Sequence, residues 1–242
     1  QKRYTKSFKD YVKQWENLPV YKYANDFLEL FHSNDVVILK SGTGSGKSVI
    51  IPKLVAYYYG YEKKIAMTTP KQITTQSSAE YAAETLDSPL GEKIGYTFKG
   101  SKKEFFNAEK SIIEYTTDGR LITKFYKDIE VSELDAIVID EAHERNVNID
   151  LLMFFVRSAM IARKNKGVKS RLKLVIMSAT IDESIFYNYF FNQGFSTGVI
   201  EVPGASYFEV ESIFSEKPIK KEFFIPETVS LIENLHKKSR AG

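Results

Sequence analysis

The chain has 242 residues, of which 43% are hydrophobic, so it can bury the core of one large α/β domain or of two small ones. Charged residues make up 27% of the chain and aromatic residues 14%, which excludes disordered and collagen-like chains. The net charge of +3, from 34 basic and 31 acidic side chains, is too small to bind nucleic acid by charge alone.

The sequence argues against several kinds of metal and membrane chemistry. The chain has no cysteine, which excludes disulfides, thiolate nucleophiles and cysteine-based zinc sites. His32, His143 and His236 lie far apart without ligand-like spacing, so a histidine-rich metal site is not expected. No apolar run is long enough to span a bilayer, and the first residues lack the apolar core of a signal peptide. We therefore expect an intracellular protein with no membrane partner, with nucleus, cytoplasm and virion all open.

Hydrophobic periodicity predicts helices and strands that alternate along most of the chain. In chain order, the predicted elements are a helix at 23–31, a strand at 36–39, a helix at 47–59, a strand at 65–69, a helix at 72–86, strands at 94–98 and 112–116, a helix at 118–126, a strand at 136–139, a helix at 149–163, a strand at 172–177, a helix at 182–191, an edge strand at 207–214 and a helix at 225–236. Continuous apolar strands between helices indicate an α/β domain, with a mostly parallel central sheet and helices on both faces. Ligands of such sheets bind outside the carboxyl ends of the strands.

A glycine-rich loop at 41–48 lies between a predicted strand and a predicted helix, which is the context of a phosphate-binding loop. Its glycines let successive backbone N–H groups surround a phosphate, at the positive end of the helix dipole. Lys47 would reach the β- and γ-phosphates, and Ser48 would place its hydroxyl on Mg²⁺. The alternative is a glycine-rich turn with a chance lysine. The nucleotide-binding residues would be Ser41, which replaces the usual glycine, with Gly42, Thr43, Gly44, Ser45, Gly46, Lys47 and Ser48.

An acidic string, Asp140-Glu141-Ala142-His143, directly follows the predicted strand 136–139. Carboxylates at the end of a buried strand are unfavourable unless a ligand or partner compensates them. Asp140 would hold Mg²⁺, and Glu141 would orient and polarise the attacking water. The alternative is an N-cap cluster that opens the next helix. Because this string and Lys47 both follow strands of one predicted sheet, we favour the nucleotide site.

Three further segments, 69–72 (TPKQ), 116–119 (TTDG) and 178–180 (SAT), follow or end predicted strands. These three segments resemble motifs Ia, Ib and III, in that order, of the DEAH-box RNA helicases of superfamily 2. The loop at 41–48 resembles their motif I, and the DEAH string resembles their motif II. Related viral nucleoside-triphosphatase helicases are similar in the same way. The resemblance covers about residues 18–214. In motif Ia the family usually has two arginines where this chain has Lys71 and Gln72.

The resemblance implies a RecA-like P-loop NTPase domain at 18–203 that uses ATP and Mg²⁺. An N-terminal extension would occupy 1–17, and 204–242 would form a junction toward a second RecA-like domain of the parent chain. The catalytic residues would be Lys47, Asp140, Glu141 and His143, the last in a coupling role. Ser48, Asp140 and Glu141 would hold the metal, and Ser178 and Thr180 would couple nucleotide state to domain closure.

The resemblance also implies that Pro70, Lys71, Thr117, Asp118 and Gly119 bind RNA. From the residues alone, Lys71 can neutralise a phosphate and Thr117 can donate a hydroxyl hydrogen bond. The alternatives are a solvated Lys71 and a Thr117-Asp118 pair that caps the next helix. Contacts of this kind to the nucleic-acid backbone predict little base specificity.

Three functions remain open at this point. The first is the ATP-binding domain of an ATP-dependent RNA helicase, which acts on single-stranded RNA or RNA duplexes, with room for auxiliary proteins. The second is a nucleotide-gated RNA-binding remodelling scaffold with little unwinding, and the third is a DNA-acting superfamily 2 translocase. Because the family's second domain supplies arginines to the γ-phosphate, we expect this chain by itself to bind Mg-ATP weakly, to hydrolyse it very slowly and not to unwind duplexes.

Overall fold

The computed structural model describes residues 5–167, 171–179, 183–203, 214 and 218–239. The chain divides into two compact units, Gln1–Ala205 and Ser206–Gly242. Almost all of the predicted edge strand at 207–214 lies outside the described residues.

A parallel β-sheet forms the centre of the first unit, and its strand order among the described residues is β3-β4-β2-β5-β6-β1-β7. All its described pairings are parallel, which confirms the predicted α/β class and the central sheet. The strands are β1 (Val36–Ser41), β2 (Ile65–Thr69), β3 (Ile94–Thr97), β4 (Ile113–Thr117), β5 (Ala136–Ile139), β6 (Lys173–Ser178) and β7 (Thr197–Val202).

Six of these strands are predicted from their apolar runs, and β7 is not. Its sequence, TGVIEV, is short and contains Gly198 and Glu201, which weaken a strand pattern. The strand pairs with β1 at one edge of the sheet, where Gly198 lies beside Val37. A Cβ at Gly198 would come within 2.8 Å of the Asn34 side chain, so the glycine allows this edge strand to approach the C-terminal end of the helix Ala24–Ser33.

Helices cover both faces of the sheet, as predicted. Alternate residues of β1 enter two separate hydrophobic clusters, with Val37 and Leu39 in one and Val36 and Ile38 in the other. The first cluster is closed by α1 (Lys6–Glu16), α2 (Pro19–Lys22), α3 (Ala24–Ser33), α4 (Lys47–Tyr58) and α5 (Gln72–Glu84), and the second by α6 (Asp118–Lys127), α7 (Val147–Asn165) and α8 (Glu183–Phe191).

The N-terminal helices α1 and α2 are not among the predicted elements. Phe8, Val12 and Trp15 have the i, i+4, i+7 spacing of an amphipathic helix, but many lysines surround them and obscure the pattern. Trp15 is buried, and the Thr5 side chain accepts the N-cap hydrogen bond from the Phe8 N–H. The Tyr11 hydroxyl donates a hydrogen bond to Glu84 at the end of α5. The segment therefore packs on the first face of the sheet.

The second unit contains α9 (Phe224–Ser239), which confirms the predicted C-terminal helix. A short 3₁₀ turn at Lys221–Phe223 precedes it. Its apolar residues are exposed within the described structure, among them Ile225, Val229 and Ile232. Their spacing is that of one helix face.

Candidate nucleotide site

Residues 41–48 connect the end of β1 to the start of α4, where the sequence predicts the phosphate-binding loop. Gly44 and Gly46 have φ angles of +77° and +87°, a region that non-glycine side chains rarely adopt. A Cβ at Gly46 would also lie 2.7 Å from Cδ1 of Leu18, so this side chain would have to shift, but the positive φ angle is the main reason for glycine here. The Val20 N–H donates to the Ser45 carbonyl at 3.3 Å, which links the loop to α2.

Unused polar groups line this loop. The hydroxyl oxygens of Ser41 and Ser45 are buried, and neither has a hydrogen-bond partner in the described part of the chain. Buried hydroxyls without partners are unfavourable, because they have lost their hydrogen bonds to water. A phosphate group at the start of α4 would accept hydrogen bonds from such donors and from the helix N-terminus. The loop residues therefore fit a nucleotide phosphate.

The basic loop and the acidic string meet at the carboxyl edge of the sheet. The Ser48 hydroxyl donates to Oδ2 of Asp140 at 2.5 Å, and Nζ of Lys47 lies 3.3 Å from Oε1 of Glu141. Lys47 and Asp140 are 5% and 2% exposed. The strand order places β6 between β1 and β5, so the two segments follow strands that do not pair with each other.

Burial raises the pKa of Asp140 to about 6, although the Ser48 hydrogen bond and the Lys47 charge act in the opposite direction. A bound cation would favour the charged carboxylate and offset this desolvation. Mg²⁺ prefers oxygen ligands, and it is commonly held by one or two carboxylates and by substrate phosphates. The oxygen atoms of Ser48 and Asp140 are donors of this kind, so the residues present fit the expected metal.

The backbone is strained on both sides of the acidic turn. Glu141 and Arg145 have φ angles of +51° and +46°, and the 3₁₀ turn Ala142–Glu144 lies between them. Left-handed backbone in non-glycine residues costs on the order of 1–2 kcal/mol each, and it is frequent at functional sites. An ion pair stabilises the second position, since Nε of Arg145 donates to Oδ1 of Asp150 at 2.8 Å.

His143 and Ser178 lie near this centre with unused polar atoms. Nδ1 of His143 is buried and makes no hydrogen bond in the described structure, although it lies 3.4 Å from Oε2 of Glu141. Ser178 ends β6 and is fully buried, and its hydroxyl also lacks a partner among the described residues. Because β6 pairs with both β1 and β5, Ser178 belongs to the strand between the two motifs. Thr180 lies outside the described residues.

The expected RNA-binding residues come together at the neighbouring ends of β2 and β4. Thr69 pairs in register with Thr117, so Pro70 and Lys71 follow one strand while Asp118 and Gly119 follow the other. Lys71 is exposed and Thr117 is half-buried. Thr117 occupies the N-cap position of α6, but its side chain makes no capping hydrogen bond.

Asp118 differs from its neighbours because its side chain is buried. It is 2% exposed, and burial raises the pKa of its carboxyl group to about 6. A buried carboxylate does not face an RNA strand, so Thr117 and Gly119 are the accessible positions of this segment. A Cβ at Gly119 would make only an ordinary van der Waals contact, at 3.9 Å from the Asn148 side chain, so the position can accept a small side chain.

Sequence reasoning missed two residues that affect hydrogen bonding at the Ser48 carbonyl. Tyr115 on β4 donates its hydroxyl to the Ser48 carbonyl at 2.9 Å. Pro52 lies inside α4 and is buried. A proline in the middle of a predicted helix is a visible signal of a free carbonyl four residues earlier, but the sequence does not show which donor reaches that carbonyl.

Comparison with known proteins agrees with this geometry. Residues 21–186 match a family model described as DEAD/DEAH box helicase. The chain belongs to the DEAD/DEAH box helicase family. This confirms the family resemblance drawn from the motifs, and the sheet described above is consistent with a RecA-like α/β domain. Within the described segments, we find no helix with the length and apolar character needed to cross a bilayer.

Two relatives of this helicase family are similar over much of the chain. L540 of Acanthamoeba polyphaga mimivirus, named as a candidate ATP-dependent RNA helicase, is 39% identical over 232 residues, which cover 96% of this chain and 32% of that protein. The ATP-dependent RNA helicase HrpA of Borreliella burgdorferi is 38% identical over 177 residues, which cover 72% of this chain and 20% of that protein. The chain therefore spans a third or less of the length of these relatives.

Proposed function

We propose that this chain supplies the ATP-binding domain of an ATP-dependent RNA helicase. In this proposal, residues 18–203 form a RecA-like domain that couples Mg-ATP binding and hydrolysis to translocation on single-stranded RNA or to duplex unwinding, when joined to a second RecA-like domain. Residues 1–17 precede this domain and 204–242 lead toward the second. The observation that carries the proposal is the contact of Lys47 with Glu141 and of Ser48 with Asp140 across the sheet edge.

Each residue of this centre has a separate task. Lys47, which now faces Glu141 at 3.3 Å, would exchange this carboxylate for the β- and γ-phosphates. Glu141 would then be free to orient a water molecule and to accept its proton. Ser48, Asp140 and Glu141 would hold Mg²⁺, which when bound neutralises the charge that develops on the phosphate oxygens.

His143, Ser178 and Thr180 would couple the state of the bound nucleotide to domain closure. Both described residues have buried polar atoms without hydrogen-bond partners among the described residues, next to the acidic turn or on the strand between the two motifs. A hydrogen bond that forms only in one nucleotide state would couple that state to domain closure. This role predicts that His143→Ala lowers RNA-stimulated turnover more than it lowers Mg-ATP affinity.

The RNA strand would cross the ends of β2 and β4, at Pro70, Lys71, Thr117 and Gly119. Lys71 is exposed and can pair with a phosphate, and Gly119 has room for close backbone approach. In this proposal the buried carboxyl group of Asp118 does not itself contact the strand. Contacts of this kind bind RNA with little preference for base sequence, and auxiliary proteins would then select the target.

Arginines of a second RecA-like domain would complete the reaction centre. Arginine fingers contribute about 10³–10⁵-fold in turnover in related nucleoside triphosphatases. We therefore propose that the 242-residue chain alone binds Mg-ATP weakly, hydrolyses it very slowly and does not separate duplexes. Robust unwinding by this chain alone would contradict the proposal.

The deciding experiment measures ATP hydrolysis by the full-length protein without nucleic acid, with single-stranded RNA and with single-stranded DNA. Glu141→Gln is the control, because it keeps the shape of the side chain and removes the base. RNA stimulation that is lost in the control supports the RNA helicase. Equal or greater stimulation by DNA would assign the protein to the DNA-acting translocases instead. RNA binding with no stimulation by either nucleic acid would favour the nucleotide-gated scaffold.

A further inference from the structure

Helix α4, which begins at the phosphate-binding loop, contains an open carbonyl in its first turn. In an α-helix, the N–H of residue 52 would donate to the carbonyl of residue 48. Residue 52 is Pro52, which has no N–H, so the Ser48 carbonyl lacks this donor. The Ser48 carbonyl is at least partly shielded from water, where a carbonyl without a donor is destabilising, so a different donor is favourable at this position.

A tyrosine from the sheet fills this position. The Tyr115 hydroxyl donates to the Ser48 carbonyl at 2.9 Å, across 67 residues of sequence. Tyr115 is fully buried on β4, and burial raises the pKa of its phenol, so the hydroxyl keeps its proton and remains a donor. The contact joins β4 to the first turn of α4 by a directional bond between two rigid elements.

The two ends of this bond lie at two different parts of the proposed machinery. Ser48 is the residue whose hydroxyl also donates to Asp140. Tyr115 is two residues before Thr117 and four before Gly119, where β4 ends and α6 begins. A displacement of the end of β4 therefore reaches the backbone of the magnesium-binding serine through one hydrogen bond.

We propose that Tyr115 is a positioning residue that couples RNA at Thr117 and Gly119 to the Mg-ATP loop, through the Ser48 carbonyl that Pro52 leaves open. This inference rests on the function proposed above. The coupling is reciprocal, because two ligands that influence each other's binding do so by the same factor. RNA strengthens Mg-ATP binding through Tyr115 as much as Mg-ATP strengthens RNA binding.

The test uses the full-length protein and measures one ratio, the Kd of a non-hydrolysable Mg-ATP analogue without and with single-stranded RNA. Tyr115→Phe removes only the hydroxyl, and we expect the ratio to fall about three- to tenfold, the factor that one hydrogen bond supplies. Steady-state kinetics should show the loss in RNA-stimulated kcat more than in the KM for ATP without RNA. Tyr96→Phe is the matched control, since Tyr96 on β3 is buried and pairs in register with Tyr115 on β4. It should keep the wild-type ratio.

A double variant separates coupling from simple stabilisation of the helix. In Pro52→Ala with Tyr115→Phe, the new alanine N–H can donate to the Ser48 carbonyl, so melting temperature and RNA-free nucleotide affinity should recover. The link to β4 stays broken, so the ratio should remain low. This variant also keeps the experiment decisive if Tyr115→Phe alone is unstable. Recovery of the full ratio in the double variant would overturn the inference, because the hydroxyl would then serve only to satisfy the carbonyl.

Failure of the inference can be told apart from failure of the proposed function. Lys47→Ala should abolish binding of the analogue both in the wild-type protein and in Tyr115→Phe. If Lys47→Ala binds the analogue as the wild type does, the nucleotide site itself is misassigned and the inference falls with it. If Lys47→Ala loses binding while Tyr115→Phe keeps the wild-type ratio, the nucleotide site stands and the role of Tyr115 is refuted.

Discussion

The burial of Lys53 between α4 and Trp15 of α1 allows a quantitative test of the packing of these two helices. This lysine lies on α4 and is 6% exposed. Its Nζ donates to the Thr85 hydroxyl at 2.5 Å and lies 4.4 Å from the centroid of the Trp15 ring. The hydroxyl and the ring recover only part of the lost hydration, so burial lowers the pKa of Lys53 from 10.5 to about 7.

This pKa difference makes folding stability depend on pH in a defined window. Between pH 7 and 10.5 the unfolded chain keeps the proton on Lys53 while the folded chain has released it, so stability rises with pH. Below pH 7 both states are protonated, and the burial of the charge destabilises the fold in full. A difference of about 3.5 pKa units corresponds to roughly 5 kcal/mol over the whole window, of which about 3 kcal/mol falls between pH 7.0 and 9.5.

The perturbation is Lys53→Met, which keeps an unbranched side chain one heavy atom shorter and removes the titratable group. Thr85 stays satisfied, since its hydroxyl also donates to the Tyr81 carbonyl at 2.6 Å. The cation–π contact with Trp15 is lost, which costs about 1–2 kcal/mol, so we expect a net stabilisation of about 2–3 kcal/mol at pH 7.

Urea denaturation at pH 7.0 and 9.5 measures both effects. The wild type should gain about 3 kcal/mol more than the variant between these pH values, because other titrating groups are common to both proteins. A wild type and a variant with the same change in unfolding free energy would refute the reasoning, and would mean that Lys53 remains hydrated or charged in the folded state.

Three further outcomes test the fold and the site. Mg-ATP at 100 times its Kd should stabilise the chain by about 2.7 kcal/mol and raise Tm by about 5–10 °C, and Lys47→Ala should abolish most of this shift in a thermal melt. Trp15→Ala should lower the unfolding free energy by about 3–5 kcal/mol in urea, because the ring is buried in the first hydrophobic cluster, while a loss below 1 kcal/mol would mean that α1 does not pack there. Gly95→Ala should lower Tm, since the new Cβ would lie 2.4 Å from the Phe105 carbonyl oxygen. Gly119→Ala should keep Tm, because its new Cβ would have its nearest neighbour at 3.9 Å, but it should weaken RNA binding in a filter or anisotropy assay.

The sequence by itself determined the elements whose signals are local. Val36–Leu39 and Ala136–Ile139 form strands because continuous apolar runs suit strands that are covered on both faces. Gly44 and Gly46 mark the glycine-rich loop at 41–48 because its backbone needs positive φ angles. Boundaries shifted by a residue or two, as at α7, where Asn146 rather than a later residue provides the N-cap.

The local signals also had clear limits. Strand β7 was missed because TGVIEV is short and weakly patterned, and it is stabilised by pairing along the whole length of β1. Helix α1 was missed because its three lysines lie between its apolar residues and weaken the pattern. Its position depends on Trp15, which packs against Lys53, 38 residues later in the chain. In both cases tertiary contacts outweigh a weak local preference.

The tertiary structure alone decided which residues meet. The strand order β5-β6-β1 sets Lys47 beside Glu141 and Ser48 beside Asp140, although more than ninety residues separate them, and hydrophobic periodicity contains no information on that order. The tertiary structure also buries Asp118, whereas the motif alone places this residue among those expected to bind RNA. The Tyr115–Ser48 bond is the clearest case, since Pro52 reveals from the sequence that a carbonyl is open, and only the packing of β4 against α4 supplies its donor. Local chemistry creates the need for a partner, and chain topology determines which residue meets it.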